Sequence, residues 1–181
     1  MRLLLAIFVF ILTVAAVPAY SAVEDAEDEM KAAVVLTFLR YSEWPSPARS
    51  NGPVIIGVGG RPGFSALLRR SLDGKTVNNR SISVIELDSA ADGQGCNVIY
   101  IATGGESKPQ QFLKGGRSPA GTLTISDSRD FLESGGVVRL LLVDGRITFE
   151  VSMDGLERSG ITISSKLLRF GQIRRSKGGK Q

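Results

Sequence analysis

VIIGVGGRPGFSALLRRSL, residues 54–72, contains the change of hydrophobic period on which the fold turns. Val54 to Val58 is a β-branched run ending in glycines, and Phe64, Leu67, Leu68 and Leu72 then recur at spacings of three and four. The first pattern suits a pleated, buried surface and the second lines one face of a helix, so the segment reads as strand, turn and helix. Working outward, Ile82 to Leu87 is a second strand behind the turn-like Asn78 and Asn79, and Val98 to Ala102 a third behind the Gly-rich stretch Asp92 to Gly95. Strands separated by crossovers of this length pair in parallel.

Further along, the pattern predicts a short helix over Pro109 to Leu113 and a strand over Thr122 to Ile125. A helical turn over Asp127 to Leu132 would follow, with Asp127 as its N-cap. Val137 to Val143 and Arg146 to Val151 flank Asp144 and Gly145, a dipeptide suited to the positive φ angles of a type I′ hairpin. In the second arm Ile147, Phe149 and Val151 alternate with Thr148 and Glu150, which predicts one buried face and one wet face. A last helix is expected over Ser164 to Ile173, capped by Ser164 and docked through Leu167, Leu168, Phe170 and Ile173.

Upstream, Glu24, Asp25, Glu27, Asp28 and Glu29 mark the expected start of a helix, where carboxylates complement the dipole. Met30, Ala33, Val34, Thr37, Phe38 and Tyr41 form its apolar stripe, widened by Val35, Leu36 and Leu39, and Pro45 and Pro47 stop it at Glu43 and Trp44. The register assigns Phe38 and Tyr41 to the core and leaves Trp44 open between core anchor and partner contact. The expected class is therefore α/β: a single-domain sandwich with a mixed, largely parallel central sheet, a β-hairpin in the C-terminal half, and flanking helices.

Arg2 precedes an uncharged apolar run from Leu3 to Val17, shorter than the ~20 residues of a membrane span and followed by Pro18, Ala19, Ser21 and Ala22. Residues 1–21 thus read as a signal peptide cleaved between 19 and 22, residues 24–173 as the domain, and 174–181 as a basic flexible tail. The net charge of +4 is a property of that end: seven basic residues and no acid lie beyond Glu157. Arg169, Arg174, Arg175, Lys177 and Lys180 lack interleaved aromatics, so nucleic-acid binding is not expected.

The chain has no histidine and one cysteine, which excludes a Ser-His-Asp triad and histidine or multi-thiolate metal sites. Cys96 cannot close an internal bridge, and opening an apolar strand it is expected as a buried thiol without catalytic work. Gly57, Gly59, Gly60 and Gly63 suggest a phosphate-binding turn, but Pro62 occupies the last glycine of G-x-G-x-x-G and no Walker lysine follows. Gly116 to Ala120 departs from a nucleophile elbow at its fifth position, and adjacent Ser165 and Lys166 point in different directions on a helix. No catalytic residue, cofactor or metal is assigned.

KAAVVLTFLRYSEWP, residues 31–45, resembles the opening of the YfiR-like family, and the ordered blocks that follow agree: VIIGVGGRPGF at 54–64, GKTVNNRSISV at 74–84, CNVIYIA at 96–102, the hairpin segment 123–151, and ITISSKLLRF at 161–170. The resemblance covers nearly the whole chain after the leader. It implies a periplasmic, non-enzymatic regulator that contacts the periplasmic region of an inner-membrane diguanylate cyclase and holds it inactive, lowering cyclic-di-GMP and biofilm formation. An outer-membrane OmpA-like lipoprotein and a second copy of the chain are further partners in this reading, and Trp44, Glu43 and Tyr41 are the candidate contacts. The alternative is a periplasmic small-molecule sensor using the glycine turn. In one respect the sequence departs: the family often has a cysteine near the position of Gly57, able to pair with that at Cys96, and here no such partner exists.

Overall fold

A computed structural model describes residues 19–45, 52–104, 108–113, 115 and 117–175. The leader run Leu3 to Val17 and the end of the tail lie outside the described residues. Helix α1 spans Ala19–Tyr41, followed by β1 (Ser42–Glu43), β2 (Val54–Gly59), α2 (Pro62–Leu72), β3 (Thr76–Val77), β4 (Arg80–Glu86) and β5 (Val98–Ile101). A single 3₁₀ turn, Pro109–Phe112, leads to β6 (Leu123–Ser126), β7 (Val138–Val143) and β8 (Arg146–Ser152). The chain closes with α3 (Met153–Ser159), β9 (Thr162–Ile163), α4 (Ser165–Leu168) and β10 (Gln172–Arg174).

Eight strands form one sheet in the order β10-β8-β7-β6-β5-β2-β4-β3, and β1 and β9 make a separate two-stranded ribbon. The pairs β2–β4, β2–β5, β5–β6 and β6–β7 are parallel, as the crossover spacing predicts, while β7–β8 is antiparallel. The central strand β5 alternates between two cores. Val98 and Tyr100 face α1 and α2, whereas Ile99 and Ile101 join Leu87, Cys96, Phe112, Leu113 and Phe131 on the opposite face.

Glycines mark close approaches in this sheet rather than a phosphate cradle. A Cβ at Gly57 would lie 2.6 Å from Leu87 and 2.9 Å from Cys96 Sγ, and one at Gly59 would enter the ring of Phe112. At the hairpin, Asp144 and Gly145 have φ of 49° and 74°, the type I′ geometry expected of the dipeptide. Asn78 and Asn79, with φ of 50° and 62°, make a second such turn between β3 and β4.

Five expectations need correction. Helix α1 begins at Ala19, more than a turn before the acidic cluster, so those carboxylates flank the helix body instead of its end. Its buried face is Ala32, Val35, Phe38 and Leu39, with Asp28 and Lys31 continuing it; Ala33 is exposed and Tyr41 is 41% exposed. Residues 129–135 form turns rather than a helix capped by Asp127, whose carboxylate is taken by Lys31 and by the Thr103 amide instead of by the amides that follow it. Glu150, assigned to the wet face of the hairpin, is buried between Arg139 and Arg174. Finally, the last helix stops at Leu168 and the chain becomes β10, parallel to β8, leaving Phe170 and Ile173 exposed. The reason is Gly171, where any Cβ would enter the Phe149 ring and block the close approach that starts the strand.

Candidate functional site

Two poles of the sheet hold the side chains that could meet a ligand or a partner. At the carboxyl ends of the parallel strands, Arg61 follows β2, Thr103 follows β5 and Asp127 follows β6. The order β4-β2-β5-β6-β7 reverses between β2 and β5, and such a switch point is where open α/β sheets place their ligands. Here α1 crosses that opening and is pinned to it by charge.

Lys31 Nζ donates to Asp127 Oδ2 at 2.5 Å and lies 2.8 Å from Glu27 Oε1, while the Thr103 amide donates to Asp127 Oδ1 at 2.8 Å. Arg61 donates to Glu24 Oε1 at 2.7 Å and to both oxygens of Asp28 at 2.6 and 2.7 Å. Burial opposes the charge on Lys31, but Asp127 and Glu27 outweigh it and hold the ammonium above its ordinary pKa. Burial opposes the Arg61 charge as well; Asp28, then Glu24 and Asp127, more than offset it. An ammonium held protonated among carboxylates has no lone pair to attack with, so the cluster acts as a latch rather than as a nucleophile.

Beneath the latch, Tyr100 is fully buried and stacks on Phe64 with ring centroids 4.4 Å apart. Its hydroxyl has no hydrogen-bond partner among the described residues. Burial first, and then Asp127 and Asp28, push this phenol well above its ordinary pKa. A cleft of about 290 Å³ remains open beside the latch, lined by Glu24, Asp28, Lys31, Arg61, Thr103 and Asp127. Among the described residues no group of three or more Cys, Asp or Glu is arranged to hold a metal.

The opposite pole lies where α1 ends. Trp44 is half-buried against the main core, and its indole Nε1 donates to the Asn97 carbonyl at 3.0 Å. That same carbonyl accepts the Leu123 amide, and Asn97 exchanges two further bonds with Ile55, so Trp44 is tied to the point where β2, β5 and β6 begin. Tyr41 and Glu43 are exposed beside it, and the pairing of β1 with β9 fixes their backbone. Cys96, adjacent to Asn97, is fully buried. The candidate contacts thus divide: Tyr41 and Glu43 face solvent, Trp44 is an anchor with one open side, and Cys96 is interior.

Sequence reasoning overlooked Lys31 and Arg61 and read Asp127 only as a helix cap. The signal was a lysine inside the apolar stripe, directly after Met30, and an arginine at the end of the glycine turn, each without an evident solvent role.

The fold defines the chain as an α/β domain with ion-paired side chains at one pole of its sheet and an aromatic corner at the other. The chain is a member of the YfiR/HmsC-like family, whose model matches residues 28–172. The match begins at Asp28 in the latch and ends at Gln172 in β10, so it spans both poles. The family is one of periplasmic regulatory proteins.

Proposed function

We propose that this protein represses an inner-membrane diguanylate cyclase by binding its periplasmic region, and that the corner Tyr41–Glu43–Trp44 forms part of the contact. Family membership supports the regulatory role, and one observation supports the corner: two exposed side chains are held in fixed relation by the Trp44–Asn97 bond and the β1–β9 pair. A preorganised aromatic and acidic edge loses little conformational entropy on docking. Export through the leader Leu3 to Val17 belongs to the same reading.

Deleting the gene should raise cyclic-di-GMP and surface attachment, and the rise should vanish when the cyclase is also deleted. With purified proteins, Tyr41→Ala and Glu43→Lys should leave folding within about 0.5 kcal/mol of wild type, as exposed positions do, yet weaken cyclase binding at least tenfold. Unchanged cyclic-di-GMP in the deletion strain would remove the repressor reading. Unchanged binding by both variants would move the interface elsewhere.

A second reading, a periplasmic sensor of small molecules, draws on the cleft beside the latch at the switch point. It predicts that a ligand copurifies with the protein and that Lys31→Met releases it.

A further inference from the structure

A second cleft, of about 650 Å³, surrounds the carboxylate of Glu150 beside the strand β10. Four guanidiniums from separate parts of the chain converge on it: Arg139 from β7, Arg158 from α3, Arg174 from β10, and Arg175 just beyond. Glu150 occupies the first and third of these. Its Oε2 receives Arg139 at 2.6 Å, and its Oε1 receives Nε of Arg174 at 3.0 Å and the terminal nitrogen at 2.5 Å. Arg158 and Arg175 form no ion pair among the described residues, and both are exposed. The buried Nε of Arg139 has no hydrogen-bond partner there either. Glu133 and Asp154 also line the cleft, so its cations outnumber its anions by four to three.

This arrangement differs from a solvated basic tail. Here a buried carboxylate clamps Arg139 and Arg174 side by side, and two more arginines stand exposed in the same cleft as Glu133 and Asp154. A guanidinium presents a planar fork matched to phosphate and carboxylate oxygens, and a concave site of this volume is the size that takes a small molecule. With one positive charge in surplus, the cleft suits a compact anion whose phosphate or carboxylate oxygens meet the two exposed forks.

We propose that the Arg139–Arg158–Arg174–Arg175 cleft binds a compact anion with phosphate or carboxylate groups, gripped by Arg158 and Arg175 and seated against the Glu150-clamped pair. The inference stands apart from the cyclase reading, since the two rest on different residues.

Calorimetric titration of the purified protein at low ionic strength with pyrophosphate in one arm and citrate in the other tests it. Binding with one-to-one stoichiometry is expected in at least one arm, and the arm with higher affinity identifies the head group. Arg158→Ala combined with Arg175→Ala should weaken that binding at least tenfold while leaving the ligand-free melting temperature unchanged, both side chains being exposed. Glu133→Gln, which removes a repelling charge from an exposed rim position, should tighten it severalfold. No heat in either arm, equal affinity in the double variant, or an equal response to chloride at matched ionic strength would each overturn the proposal.

Discussion

At the scale of single residues, buried charge and buried hydroxyl predict opposite outcomes. Lys31→Met strands the Asp127 carboxylate, whose side chain is 9% exposed, and should cost about 3 kcal/mol in urea unfolding. The double variant Lys31→Met/Asp127→Asn keeps an acceptor for the Thr103 amide without a buried charge and should recover most of that loss. Tyr100→Phe deletes a hydroxyl that makes no hydrogen bond among the described residues, so it should be neutral or stabilising by about 1 kcal/mol. The same residue sets an alkaline limit. Its folded pKa lies well above the unfolded value of about 10, so the stability it contributes is complete below pH ~10 and is lost as pH rises toward the folded value. Unfolding free energy followed from pH 8 to 12 should fall above pH ~10, and less steeply in Tyr100→Phe. Cys96 was legible in the sequence because an apolar strand follows it; a bulky maleimide should label it only after unfolding. Tyr41 was not legible, since helical spacing gives a stripe but not which neighbouring register faces the sheet.

Among elements, those whose signals are local were read correctly and those set by distant partners were not. The β7–β8 hairpin follows from Asp144-Gly145, and Gly145→Val should lower stability by about 1–2 kcal/mol, because a β-branched residue resists a φ of 74°. An unchanged urea midpoint would contradict this. By contrast, nothing in residues 164–173 alone announces that the helix ends early. Its length is decided by Phe149, which lies flat beneath Gly171, and by the open edge of β8 that β10 then fills. Gly171→Ala should therefore displace β10, loosen the Arg174–Glu150 bond and destabilise the domain, although alanine is the better helix former. Hydrogen exchange at Ile173 and Arg174 would report the displacement directly. The helix expected after Asp127 failed for the same reason, since a capping-type aspartate was claimed by a lysine far away in sequence.

Across the whole molecule, the parallel α/β plan was visible from the alternation of strand and crossover, whereas the closing of the switch point by α1 was not, because it depends on ion pairs between three separate segments. Helix α1, 23 residues and about 34 Å long, joins the two poles, with Asp28 and Lys31 midway along it and the Trp44 corner just past its end. It is also the first described element to be synthesised, yet its partners come late: Lys31 meets Asp127 across 96 positions, and Phe38 packs edge-on against Phe149. At synthesis rates of 5–20 residues per second, roughly 5–20 s separate the helix from the strand ends that cover its apolar face. Through that interval α1 has only α2 and the first strands to pack against, so part of its apolar face stays open and the nascent chain is a natural client for holdase chaperones until its second half arrives.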